Sequence, residues 1–300
     1  MLVEAPGRMG IIDNSRMPVR PIFVVGSPRS GTTMIGNYIG SARSVLNAGE
    51  YRALYLTIGT LPFQMVGQLS GLVPPEWEPH RLEYIEEAQQ HACEFIVRVA
   101  DAEGCTAFCD SSPRNILIAD RLAEIFPDAL FVLTVRHYTG AIQSLTRLNT
   151  IRVLPGYEPS IDWVDPTAIA AAMIWSKHYR KALDLPAERT VVFGYDRFCA
   201  DPEPVLIRFK SALAGAGFPV EELDDAVFAV SHAHHPDTKR PTVGQVSSTG
   251  ARLTSISSFD ASAWLPATES EVRPVVTLTD ELLGVWFPDD YAAPAGYPAG

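Results

Sequence analysis

Four short apolar runs punctuate the chain: "PIFVVG" (21–26), "CTAFCD" (105–110), "ALFVLTVR" (129–136) and "TVVFGY" (190–195). Each is rich in β-branched and aromatic residues and lacks polar alternation, the pattern of a strand buried on both faces. Between and after them lie longer stretches with helical spacing, near 31–41, 81–102, 114–125, 139–148, 167–184, 202–214, 220–230 and 270–284. Strands that alternate with helices favour right-handed crossovers, so the expected fold is α/β, a three-layer arrangement with a central parallel sheet flanked by helices. Ligands of such sheets bind beyond the C-terminal ends of the strands. Gly26, Asp110, Arg136 and Tyr195 mark those ends. Three stretches outside the pattern, 50–80, 149–166 and 232–266, are rich in Pro, Gly, Ser or aromatic residues, as loops that shape pockets often are.

The length of 300 residues, with 47% hydrophobic and 20% charged side chains, suits one domain over 21–290, with loosely ordered segments at 1–20 and 291–300. Thirty-five acidic against 24 basic side chains leave a net charge of −11, so no general field attracts nucleic acid or an anionic membrane. An anionic ligand would need a local cluster of cations. The four cysteines, Cys93, Cys105, Cys109 and Cys199, lack metal-ligand spacing and read as free thiols in a reducing compartment. The first 20 residues carry no signal-like apolar region and no run reaches the 18 or more apolar residues of a membrane span, so a cytoplasmic location without membrane insertion is expected.

Chemistry is densest in "VVGSPRSGTTM" (24–34). A strand that ends at Gly26, turns, and enters a helix near Thr32 aims several backbone N–H groups and a positive helix end at one point, which suits a phosphate. The spacing from Gly26 to Gly31 fits G-x-x-x-x-G-K-[ST], but Thr32 stands where the lysine belongs and Arg29 is the only cation in the turn. Nucleotide-dependent phosphotransferases set that lysine against the β- and γ-phosphates and hold Mg²⁺ nearby. Without it, the turn better suits a donor whose reactive group hangs on a single 5′-phosphate, with Thr32 and Thr33 as hydroxyl donors.

"GSPRSGTT" after an apolar strand resembles the 5′-phosphosulfate loop of sulfotransferases that use 3′-phosphoadenosine 5′-phosphosulfate (PAPS), in the bacterial and tyrosylprotein-sulfotransferase-like branch. That resemblance implies a P-loop-like fold in which Arg29, Ser30, Gly31, Thr32 and Thr33 hold the 5′ end of the donor. It also implies a 3′-phosphate site built from a strand-ending Arg and a Ser eight residues on, which "LTVRHYTGAIQSL" supplies as Arg136 and Ser144. Glu50 in "NAGEYRAL" matches the placement of the family's catalytic glutamate, and Tyr195 in "YDRFCADPEPVL" matches a tyrosine near the nucleotide. Lys239, in a basic loop with Arg240, Ser247 and Ser248, lies where family members send a loop over the 3′-phosphate. One position departs: Ser111 stands where many relatives carry a lysine on the leaving phosphate, so Arg29 is expected to take over that charge, with Arg114 as a further candidate.

The implied activity is sulfuryl transfer from PAPS to a hydroxyl of a small-molecule acceptor, releasing PAP, with Glu50 as base, Arg29 as charge stabiliser and no metal. The apolar, aromatic stretch 51–77 suits a natural-product or lipid-like alcohol. His137 and His178 are weaker candidates for the base, and "SHAHHPDTKRP" (231–241) reads as a polar loop rather than a metal site. Two rivals stay open: a phosphotransferase with an unusual phosphate loop, and a non-catalytic PAP or PAPS binder.

Overall fold

In the computed structural model, residues 19–60, 78–152, 167–228, 260–294 and 297 are described. Five strands, β1 (Arg20–Gly26), β2 (Val45–Gly49), β3 (Ala107–Asp110), β4 (Leu130–Val135) and β5 (Thr190–Gly194), form one sheet in the order β2-β3-β1-β4-β5. Every pairing is parallel. Among the described residues, the α-helices longer than one turn are α1 (Thr32–Ile39), α2 (Glu78–Ala102), α3 (Ala119–Ile125), α4 (Tyr138–Arg152), α5 (Ala168–Arg180), α6 (Tyr195–Ala200), α7 (Pro202–Gly215) and α8 (Pro266–Trp286).

Successive residues of a strand face opposite sides, and β1 divides its apolar run accordingly. Phe23 and Val25 belong to one core with Phe108, Phe131 and Leu133, beneath α2, α3, α4, α5 and α8. Ile22 and Val24 belong to a second, with Leu130, Val132 and Phe193, beneath α1 and α7. Burial on both faces is why β1, β3, β4 and β5 carry continuous apolar runs. The three-layer α/β expectation holds.

Four of the strands were visible in the sequence and β2 was not. Its "VLNAG" is half-buried at every residue after Val45 and carries no continuous apolar run, unlike β5 at the other edge of the sheet. β3 begins at Ala107 rather than Cys105, since the preceding turn at Gly104 takes φ 71°. β5 stops at Gly194 and Tyr195 opens α6 directly. The helix expected near 220–230 is instead a pair of short 3-10 turns, Val220–Glu222 and Asp225–Phe228. Near the C-terminus Tyr291 is buried and donates to Asp280 Oδ1.

Candidate functional site

All five strands run the same way, so their C-terminal ends open on one edge, with β1 in the middle. The turn after β1 therefore meets the ends of β3 and β2 on one side and those of β4 and β5 on the other.

The turn needs glycine at its exit. Gly31 has φ 92°, and a Cβ there would stand 2.5 Å from a ring carbon of Tyr195, so both backbone and packing exclude a side chain. Arg29 adopts a left-handed φ of 70° although it is not glycine, a strained choice of the kind found at ligand-binding turns. α1 then begins without a side-chain cap and without an acid in its first turn, leaving its positive end toward the strand edge.

The turn's side chains divide between inside and outside. Ser30 is buried and its Oγ lies 2.7 Å from Tyr179 Oη; Thr32 is buried, and Thr33 is exposed. Arg29 is exposed, and its Nε donates to Ser144 Oγ at 3.0 Å. Two residues 115 apart in sequence, both expected at a phosphate, are thus in contact.

Arg136 is deeply buried, at 2% exposure, with its guanidinium turned toward the same loop: Nη1 donates to the Arg29 carbonyl at 2.6 Å. The group lies over the Tyr195 ring, 4.3 Å from its centroid, with Asp196 Oδ1 3.8 Å from Nε. The cation at the end of β4 thus stands beneath the turn rather than on the surface, where its charge is screened less than in water.

Burial pushes the Asp196 carboxyl up to about 6, with the nearby Arg136 working against that rise. Asp196 Oδ2 also accepts from the His137 backbone N–H at 2.7 Å. His137 is not presented to the turn: its Nδ1 is 2.8 Å from Thr139 Oγ1, and burial pushes its pKa down to about 3. His178 donates from Nδ1 to the Ile174 carbonyl at 2.7 Å, and burial lowers it to about 4.

On the other side of β1, Glu50 is exposed at the end of β2, its Oε2 3.3 Å from Arg52 Nη2. A carboxylate that the sequence did not single out for this task fixes its surroundings. Asp110, fully buried at the end of β3, accepts through Oδ1 from Tyr51 N (3.2 Å), Ser112 N (2.9 Å) and Ser112 Oγ (2.6 Å), and through Oδ2 from Asn115 Nδ2 (2.8 Å). Burial raises it to about 6 in spite of these four bonds. Ser111 donates to the Gly49 carbonyl from both N (2.7 Å) and Oγ (3.1 Å), and its Cβ fills the space a side chain on Gly36 would occupy. Ser111 is thus committed to backbone. Lys239, Arg240, Ser247 and Ser248 lie outside the described residues, as does the 231–241 histidine stretch.

Residues 21–209 match the sulfotransferase family. The chain belongs to that family. A curated protein of Aquifex aeolicus (strain VF5), itself uncharacterized, is 34% identical over 113 residues, which is 37% of this chain and 14% of that protein's length. Among solved structures, the sulfotransferase domain from the Synechococcus PCC 7002 olefin synthase is similar at 18% identity and a TM-score of 0.51, over 96% of this chain and 100% of that domain. Sulfotransferase STF9 from Mycobacterium avium is similar at 15% identity and a TM-score of 0.48, over 91% of this chain and 78% of that one. Among the described residues, no helix is long and apolar enough to cross a membrane.

Proposed function

We propose that this sulfotransferase moves a sulfuryl group from PAPS to the hydroxyl of a small-molecule acceptor and releases PAP. One observation carries the reading: the glycine turn, Arg29, Ser144 and Arg136 converge, with Arg29 Nε on Ser144 Oγ at 3.0 Å and Arg136 Nη1 on the Arg29 carbonyl at 2.6 Å. The 3′- and 5′-phosphates of PAPS sit on one ribose, so the groups that grip them must be neighbours.

PAPS supplies the sulfuryl group as co-substrate: the acceptor oxygen bonds to sulfur as the bond to the bridging phosphate oxygen breaks, and PAP leaves with the electron pair. The turn from Gly26 to Thr33 holds the 5′-phosphosulfate through backbone N–H groups and the uncapped end of α1. Ser144 and Arg136 serve the 3′-phosphate, with Tyr195 near the nucleotide; Lys239, a further candidate for that phosphate, lies outside the described residues. Arg29 neutralises the charge that builds on the bridging oxygen, a contribution realised mainly in the transition state. Glu50 takes the acceptor proton. No metal enters this scheme.

Leu56 and Phe95 are half-exposed near that glutamate's turn, and the Phe95 ring stacks on Tyr51 at 6.3 Å between centroids. This apolar rim supports an aromatic or lipid-like alcohol as acceptor. The four free cysteines support a reducing, cytoplasmic setting.

Thermal unfolding with PAP, ADP and ATP, each with Mg²⁺ or with EDTA, tests the reading. PAP at 100 times its dissociation constant stabilises the native state by about 2.7 kcal/mol. A shift with PAP that EDTA does not change supports a PAPS site, and sulfate transfer from PAPS to an alcohol then separates the enzyme from a non-catalytic binder; a shift with ATP and Mg²⁺ but none with PAP supports a phosphotransferase.

A further inference from the structure

Arg136 lies past the last pairing of β4 with β5, Val135↔Gly194, and before α4 opens at Tyr138. Neither sheet nor helix serves its backbone there, yet a buried N–H and C=O require partners. Both come from α5. The Arg136 N–H donates to Tyr179 Oη at 2.9 Å, and Trp175 Nε1 donates to the Arg136 carbonyl at 3.0 Å. Trp175 and Tyr179 are one turn apart on the same face of the helix, with their rings edge-to-face at 5.2 Å.

The Tyr179 hydroxyl does more than complete that backbone. It also lies 2.7 Å from Ser30 Oγ and 3.0 Å from the Thr134 carbonyl, at a place with no solvent exposure. A single oxygen thereby joins the glycine turn to the end of β4. Burial holds the phenol above its ordinary range, so it stays a neutral hydroxyl able to donate and accept at once.

We propose that Tyr179 is a positioning residue that pins the 26–31 turn to Arg136 and so fixes the separation of the two phosphate grips. The identity of the ligand in this proposal rests on the sulfuryl-transfer reading. A nucleotide with both phosphates gains from the second only when the grips are already spaced for it, because a site that must first be ordered gives up part of the binding energy. Losing the pin therefore weakens a two-phosphate ligand more than a one-phosphate ligand.

Tyr179→Phe keeps the ring and removes the oxygen. PAP and AMP are titrated calorimetrically against wild type and variant, and amide hydrogen exchange is followed in both. Expected are a roughly tenfold loss of PAP affinity, the size of one net hydrogen bond, a loss for AMP below about threefold, and faster exchange in both 26–31 and 134–137. Equal losses for the two ligands, or faster exchange in only one segment, overturn the proposal. Should the variant not fold, Ser30→Ala removes the same contact from the turn and must lower the PAP-to-AMP preference in the same way; an unchanged preference overturns it. If the wild type binds neither nucleotide, the sulfuryl-transfer reading falls, and the exchange pattern alone decides the pin.

Discussion

Asp110→Asn separates the charge of the buried carboxylate from its shape. Burial raises the carboxyl from 3.8 to about 6, so its protonated form is favoured in the folded chain. The stability this group contributes is therefore fully present below pH 3.8 and is lost as pH rises through about 6. At pH 7 the carboxyl is ionised in both states and contributes almost nothing; at about pH 4.5 it is protonated only when folded, a difference of about 2 kcal/mol. The asparagine variant lacks this contribution. Asn115 Oδ1, buried with no hydrogen-bond partner among the described residues, can accept from the new amide after the Asn115 amide turns over. His137 and His178 act oppositely, contributing stability above their ordinary 6.5 that is lost as pH falls through about 3 and about 4, but both chains contain them and they cancel in the difference. Urea unfolding at the two pH values measures that difference by linear extrapolation. Wild type should gain about 2 kcal/mol on the variant between pH 7 and about pH 4.5. A gap that stays constant within about 0.5 kcal/mol would contradict this account of the buried acid.

Gly31→Ala forces a side chain into a φ of 92° and against the Tyr195 ring, so it should cost more than about 1 kcal/mol and abolish the PAP-induced thermal shift; a normal shift would show that the turn tolerates a Cβ. Arg136→Met leaves the buried Asp196 without its cation and should destabilise by about 3–5 kcal/mol in urea unfolding, with Asp196→Asn recovering part of the loss. A cost below about 1 kcal/mol would mean the pair contributes little. Glu50→Gln should lower kcat by about 10²–10⁴ while leaving PAP affinity within about twofold, since the residue stands on the other side of β1; turnover close to wild type would remove Glu50 as the base.

The fold was legible wherever burial on both faces left a continuous apolar run, and illegible where it did not, as at the half-buried edge strand β2. The glycine turn was legible because its geometry is local: the short stretch from Gly26 to Gly31 determines where the amides and Arg29 stand. Tyr179 was not. Its role depends on Arg136 and Ser30, 43 and 149 positions away, and its spacing from Trp175 reads only as an apolar helix face. Asp110 did carry a signal, an acid at the end of a buried strand followed by "SSP", and its bonds from Ser112 and Asn115 are local, but the one from the Tyr51 N–H emerges only once β2 and β3 lie side by side.

The order of the strands separates two tasks in space. On the proposed reading, everything that handles the nucleotide comes from the β1, β4 and β5 side, whereas the group that meets the acceptor comes from β2. Changes in the segment after β2 could then alter which alcohol is modified while leaving donor recognition untouched, so one scaffold can serve many acceptors by exchanging a single flank.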